Sequence, residues 1–460
     1  MHDDERSKPV LLCLAQSFSP DTTPTAIRAS QLLAKLSERW SVVVLTESEP
    51  EQAEQRVRVE VVRSRRPRKL LTALRRMRLS KLLELFVWPD ESIFWVIPAV
   101  LAGRRAIREL APSAIVVFMM PYSSGLAGIA LRRLSGLPLI LNLDDSPTCT
   151  DMHPSFPTRF HFRLARALED YYARRADAIV YVSARNLEAV RARQPKDVQP
   201  RFHLVRYGAD LDEVATPPPA KPGFEIAYVG AMSGWWALIE RGSRAGRLHR
   251  AYDAWSRLGR FERTALDQQT SSPAVIGAAI HQAVVGHPEW TGKVRLTVHG
   301  NPYPPELVAQ ALAAYGIDDV VAVTGPVPHD EVAAIIAAAD LLFLTLPRRI
   351  DGSPGGRISA KTYEYLATDR PILAAVPHGE NWDYLEDKPG VWLVEPDDRT
   401  RMGEIVAELA SAKFAGAPRS FDRSQLRPQL SYAALATQFE AAVRAGIEHA
   451  STRGRARDGT

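Results

Sequence analysis

Short apolar runs, each long enough for one strand, alternate with helical stretches along nearly the whole chain. In the first half they fall at residues 10–15, 41–46, 114–119, 137–143, 178–183 and 203–207. In the second half they fall at residues 225–230, 293–299, 320–324, 341–346, 371–376 and 391–394. A continuous apolar run suits a strand covered on both faces, and helices between such runs imply parallel pairing. The segment TPPPAKPG at residues 216–223 interrupts the alternation and reads as a stiff linker. A chain of 460 residues also exceeds one ordinary core. The expectation is two α/β domains with a ligand cleft between them. Ligands of such sheets bind outside the carboxyl ends of the strands, so the loops after these runs are where chemistry is sought.

The remaining segments refine this plan. Residues 233–281 begin with Ser233, Gly234, Trp235 and Trp236, continue Arg-rich and helical, and read as an insertion in the second domain. Residues 426–450 read as a final helix, with Ala434, Phe439, Ala442 and Ile447 as candidate core contacts, and residues 451–460 as a disordered tail. Residues 63–81 hold nine basic residues and no acidic one, with Leu70, Leu74 and Met77 at helical spacing. That pattern fits either a helix lying on an anionic membrane or a solvated helix of its own domain.

Net charge is +5 with a pI near 9.1, a mild excess that suits phosphate ligands or an anionic surface. Nucleic acid is not an expected partner. Cys13 and Cys149 have no metal spacing, and Cys13 reads as a buried small hydrophobe. The charged opening MHDDERSK is unlike a signal peptide, and the longest apolar stretch, residues 93–102, is about half a bilayer span. A cytoplasmic protein, in peripheral contact with the inner face of the cell membrane, is the expectation.

The most informative stretch for chemistry is SAKTYEYLATDRPILAA, residues 359–375. Gly355, Gly356 and Arg357 lead into a helix that begins near Ser359 and carries Lys361 and Glu364. Free backbone N–H groups at a helix start, a glycine-rich loop and two cations suit a diphosphate. Lys361 and Glu364 share one helix face, which could aim a cation at the diphosphate and a carboxylate at a ribose diol. An ordinary salt-bridged helix pair is the competing reading.

These residues resemble the donor-sugar helix of GT-B glycosyltransferases, most closely the retaining family-4-like group, and the resemblance runs over residues 9–445. It implies two Rossmann-like domains facing a central cleft, an acceptor-side domain at 1–215, a nucleotide-sugar domain at 224–425, and a last helix crossing back to the first domain. It further implies a nucleotide diphosphate sugar as co-substrate, no cofactor and no metal. The acceptor would be a glycan, a lipid-linked species or a small molecule, as in surface polysaccharide or glycolipid assembly.

Position by position, Glu364 falls at the ribose ligand, and Pro326 and Val327 fall beside the nucleobase. Gly230 falls where backbone meets phosphate, with Gly355, Gly356 and Ser359 completing the donor set. Arg357 and Lys361 are the candidate catalytic cations. Asp144, the third catalytic candidate, stands where relatives carry a histidine facing the transferred sugar, with Asp145 beside it; a carboxylate there could bind sugar hydroxyls, orient the acceptor hydroxyl or take its proton, and local loop structure is the competing reading. Thr25, Arg28 and Trp235 are the remaining acceptor-side candidates: Arg28 reads as a phosphate contact or a plain helix-start arginine, and Trp235, with Trp236, as a surface for stacking on an acceptor or entering a membrane interface, or as a packed helix start.

Three departures count against catalysis: no glycine pair in the loop before Arg28, no Lys-Gly after Gly230, and Gly356 in place of a glutamate. They leave a non-catalytic nucleotide- or partner-binding subunit as the alternative. An epimerase acting on nucleotide sugars is a further rival, for which no persuasive acid and histidine set is found.

Overall fold

The computed structural model describes residues 8–49, 57–77, 79–151, 155–209, 222–243 and 247–458. Two units emerge. The first comprises residues 1–208, 256–263 and 432–460, and the second residues 209–255 and 264–431. Residues 216–221 of the expected linker lie outside the described residues.

The strands of the first half are β1 (Val10–Leu14), β2 (Ser41–Thr46), β3 (Arg58–Val61), β4 (Ala114–Phe118), β5 (Leu139–Leu143), the short β6 (Ser155–Phe156), β7 (Ala178–Tyr181) and β8 (Phe202–Leu204). Seven form one sheet in the order β3-β2-β1-β4-β5-β7-β8, parallel throughout. β4, β5 and β7 are buried at every position, as the apolar runs require. Helices cover both faces. The helix Ile93–Leu110 packs on Ser124–Ser135 on one side, and Pro24–Leu36 packs on Tyr432–Asp458 on the other. Burial of Cys13 among these elements pushes its thiol pKa up, consistent with a hydrophobic role.

The final helix therefore belongs to the first unit. Phe439 and Ala442 are fully buried on it, and Phe439 stacks on Phe118 at 6.0 Å. Its Glu440 binds Arg39 at 2.9 Å and accepts from Trp40 Nε1 at 3.2 Å. The expectation of disorder from residue 451 is corrected, because the helix continues to Asp458. Arg453 anchors that extension by an ion pair of 2.7 Å to Asp177, which is itself wholly buried.

The second half supplies β9 (Phe224–Val229), the short β10 (Phe261–Glu262) and β11 (Leu266–Asp267), then β12 (Val294–His299), β13 (Val321–Val323), β14 (Leu341–Thr345), the short β15 (Arg348–Arg349), β16 (Ile372–Ala375) and β17 (Val391–Val394). Six form a second parallel sheet, β13-β12-β9-β14-β16-β17. Arg423 closes one edge of this unit. Only 1% exposed, it donates to the carbonyls of Thr368, Arg370, Pro389 and Gly390 at 2.7–3.1 Å. Burial pushes its pKa down to about 10.

The stretch at residues 233–281 is not one insertion. Helices Ser233–Ser243 and Pro273–Val285 bury apolar side chains in the second core. Residues 256–263 instead join the first unit, where β10 pairs antiparallel with β6. Arg263 there lies 3.6 Å from Asp151.

Candidate functional site

In the second unit the site grows from the helix Ala360–Leu366. Ser359 caps it in an extended conformation, and buried Asn381 fixes its start. The Asn381 carbonyl oxygen accepts from the Ser359 amide at 3.3 Å and from the Thr362 hydroxyl at 2.7 Å. Further along, the buried Tyr365 hydroxyl accepts from Val229 N–H at 3.1 Å, tying the helix to the carboxyl end of β9. Burial raises the Tyr365 pKa, so the group stays a neutral hydroxyl.

This docking carries Lys361 to Gly230, the first residue after β9. A Cβ built on Gly230 would lie 2.6 Å from Lys361 Cε and 2.8 Å from Nζ. Gly230 also has φ +137°, a conformation that side chains disfavour. The positive φ is what calls for glycine there; a side chain would also push aside the flexible tip of Lys361, which fills the space it would take. Lys361 Nζ stands 5.2 Å from the centre of the Tyr228 ring and makes no ion pair among the described residues. The salt-bridged Lys361–Glu364 pair does not form. Half-buried Arg357 likewise makes no ion pair there. Two partly accessible cations beside a glycine loop can stabilise phosphate oxygens.

The neighbouring loops follow the same logic. Gly355 bridges Gly379 in parallel, and its carbonyl accepts from Glu380 N–H at 2.9 Å, holding buried Gly356 next to Arg357. Pro326 is exposed and Val327 half-buried in the loop after β13. Glu364 is half-buried. The sequence reading missed His299, Gly300 and Thr324, where Thr324 Oγ1 lies 3.2 Å from His299 Nδ1. It also missed buried Glu380 and Asn381. All end or follow strands of this sheet, so the carboxyl-end rule that found Gly230 was the signal for them too.

In the first unit the expected acceptor-side residues take different roles. Arg28 is fully buried. Its Nη1 donates to Asn142 Oδ1 and Asp144 Oδ1, each at 3.0 Å, and its Nη2 to the Val205 carbonyl at 2.8 Å. It therefore contacts no phosphate. Asp144 is 3% exposed, and both its oxygens are engaged: Oδ1 also accepts from Asn142 Nδ2 at 3.0 Å, and Oδ2 from the Tyr207 hydroxyl at 2.9 Å. Burial, then the Asp144 charge, pushes the Tyr207 pKa well up, so its proton stays on this bond. The Asp144 carboxylate is a positioning group that ties the end of β5 to the helix Pro24–Leu36 and to the segment after β8, rather than a base facing a sugar.

Asp145 is the less buried of the pair, and its Oδ1 accepts from the Thr150 hydroxyl at 2.8 Å. Thr25 is half-buried on the first turn of Pro24–Leu36. Trp235 is corrected outright. With Trp236 it is 0% exposed, its ring 4.6 Å from the Trp236 ring and 5.5 Å from that of Tyr315. Both tryptophans are core, unavailable for acceptor stacking or membrane insertion.

A cavity of about 430 Å³ does open in the first unit. Tyr122 and Pro147, from the loops after β4 and β5, line it together with Leu83, Trp88, Phe156 and Leu168. Its polar groups are already satisfied: Asp90 accepts from Ser123 N and Oγ, Glu169 from Ser146 Oγ, and the Tyr172 hydroxyl donates to the Tyr122 carbonyl. What remains exposed to a ligand is mostly hydrocarbon and ring surface. Arg260, from the segment shared with β10, closes part of its wall through an ion pair with Glu84. Among the described residues no group of three or more His, Cys, Asp or Glu stands together as a metal-ligand set, and no helix is long and apolar enough to cross a membrane.

Two all-parallel sheets, phosphate-suited loops at the carboxyl end of the second, and a last helix returned to the first unit define the architecture. The fold is GT-B. Residues 25–208 match the model of the glycosyl transferase 4-like domain. Solved structures agree over nearly full length. HepE from Anabaena, in complex with UDP and glucose, is 14% identical, with a TM-score of 0.59 over 94% of this chain and 99% of that one. Sucrose-phosphate synthase from Thermosynechococcus elongatus is 14% identical, with 0.57 over 98% and 100%. The UDP-forming α,α-trehalose-phosphate synthase from Burkholderia vietnamiensis is 13% identical, with 0.59 over 97% and 98%. At such identities the likeness establishes the GT-B fold. No curated protein matches the sequence.

Proposed function

We propose that the protein is a glycosyltransferase that moves a hexose from a nucleotide diphosphate sugar to an acceptor hydroxyl, with retention at the anomeric carbon and without a metal. The observation that carries this reading is Lys361, held without an ion pair against Gly230 at the carboxyl end of β9. When the bond between the anomeric carbon and the diphosphate oxygen breaks, negative charge gathers on the departing diphosphate. Lys361 and Arg357 stabilise that charge. The acceptor oxygen bonds to the anomeric carbon, and its proton passes to the departing phosphate oxygen, so no protein base is needed. That account agrees with Asp144 being fully engaged elsewhere. Glu364 holds the ribose diol, and Pro326 and Val327 flank the base. HepE is solved with UDP, which makes UDP the first nucleotide to try.

The apolar cavity beside Tyr122 and Trp88 favours an acceptor with a hydrocarbon or aromatic portion, of the kind used in surface polysaccharide or glycolipid assembly. Such an acceptor places the enzyme in the cytoplasm against a membrane face. The test is a thermal-shift panel of UDP, GDP, dTDP, CDP and ADP on wild type, Lys361→Ala and Glu364→Ala, since a ligand of the native state raises Tm by mass action. One nucleotide should stabilise wild type and neither variant. Turnover with that nucleotide's sugars, an unchanged rate in EDTA and the anomeric configuration of the product then test catalysis, metal independence and retention. A flat panel on folded protein rejects the donor site. Binding without turnover favours the non-catalytic alternative, for which Gly356 in place of a glutamate is the specific observation.

A further inference from the structure

Six arginines line one depression of about 790 Å³ in the first unit: Arg132, Arg133, Arg174, Arg175, Arg201 and Arg453. They come from four separate stretches of chain. Arg132 and Arg133 end the helix before β5, Arg174 and Arg175 end the helix before β7, Arg201 directly precedes β8, and Arg453 lies on the last helix. Because β5, β7 and β8 run parallel, the residues that precede them gather at the amino edge of the sheet. The loops that follow these strands, including Asp144 and Tyr207, lie at the opposite edge.

Basic residues in a last helical turn balance the helix dipole, and that accounts for some of this charge. It does not account for the convergence. The acid at the centre, Asp177, is 0% exposed at its side chain and binds both Arg132 at 3.0 Å and Arg453 at 2.7 Å. Arg201 lies 3.5 Å from Asp197, whose own side chain is 76% exposed. Arg133, Arg174 and Arg175 are exposed and have no carboxylate partner among the described residues. Arg133 donates to the Tyr171 hydroxyl at 2.8 Å, and Arg175 stands over the Tyr171 ring at 5.4 Å, so this tyrosine holds two of the free guanidinium groups in the same depression. The charge also acts on the last helix: burial, then the charge of Arg201, holds the pKa of nearby half-buried His449 below its ordinary value.

We propose that this arginine-lined depression is a second ligand site, distinct from the donor site, for a compound bearing phosphate groups. Guanidinium forks match phosphate oxygens two at a time, and three unpaired cations call for a multiply charged anion. The phosphate is carried either by a soluble diphosphate compound or by a lipid headgroup. Calorimetric titration with inorganic pyrophosphate tests the first source. Co-sedimentation with phosphatidylglycerol vesicles, against phosphatidylcholine vesicles, tests the second. Each is run on wild type, on Arg174→Glu/Arg175→Glu, on Arg133→Glu as an independent disruption, and on Lys361→Ala.

At least one probe binds wild type, binds the double variant about 100-fold more weakly, and keeps that component in Lys361→Ala. Binding weakens as salt rises. Loss confined to pyrophosphate assigns a soluble ligand, and loss confined to vesicles assigns a headgroup. The proposal is overturned if neither probe binds wild type, or if the double variant and Arg133→Glu, with unchanged Tm, bind as wild type does.

Discussion

Asp144→Ala separates a structural carboxylate from a catalytic one. The substitution removes three hydrogen bonds, from Arg28 and Asn142 to Oδ1 and from Tyr207 to Oδ2. It leaves Arg28, 0% exposed, with the Asn142 side chain, the Val205 carbonyl and the Tyr207 ring near it and no carboxylate to balance its charge. Stranding one partner of a buried ion pair costs about 3–5 kcal/mol. For a domain of this size each kcal/mol shifts Tm by roughly 2–4 °C, so the first unit's transition should fall by about 6–20 °C. Urea and thermal denaturation followed by circular dichroism measure this. Arg28→Met/Asp144→Leu, which removes both charges, should lose less than the two single substitutions summed, with a coupling of about 2–3 kcal/mol. If Asp144→Ala kept its Tm while glycosyl transfer was abolished, the reasoning would be refuted and the carboxylate would belong to the reaction.

Gly230→Ala should weaken nucleotide binding sharply, because the new Cβ collides with Lys361 and φ +137° strains the backbone by about 1–3 kcal/mol; calorimetry with the nucleotide found in the panel checks this. Trp236→Ala should destabilise the second unit by about 3–5 kcal/mol, since the side chain is fully buried, and should leave vesicle binding unchanged. Burial lowers the His203 pKa below its ordinary 6.5, so the folded protein resists a proton that the unfolded chain accepts. Its contribution to stability is complete above pH 6.5 and declines as pH falls below that value; His203→Gln should flatten the Tm profile as pH falls below 6.5.

Local pattern determined the strands and the domain plan. The runs at residues 41–46 and 391–394 match β2 and β17 in full, because a short, mostly apolar run bounded by polar and turn residues marks a strand wherever it lies in the sheet. β3 escaped notice because it pairs on one side only and keeps polar residues at alternate positions. The Lys361 helix and Gly230 were legible as separate motifs, since a glycine after a strand and a cation on a helix each carry a local signature. Their meeting depends on the Tyr365–Val229 hydrogen bond, which no spacing along the chain encodes.

Partnership is what sequence did not reveal. Arg28 and Asp144 are 116 positions apart, and only the fold decides that each neutralises the other, leaving neither for substrate. Trp235 and Trp236 open an Arg-rich stretch that reads as an insertion, yet packing around β9 and β12 makes them core. The six arginines are scattered from residue 132 to residue 453, ordinary helix-end charges one by one. Charge acts through space, so a site made of charge exists only once parallel strands have brought those helix ends to one edge.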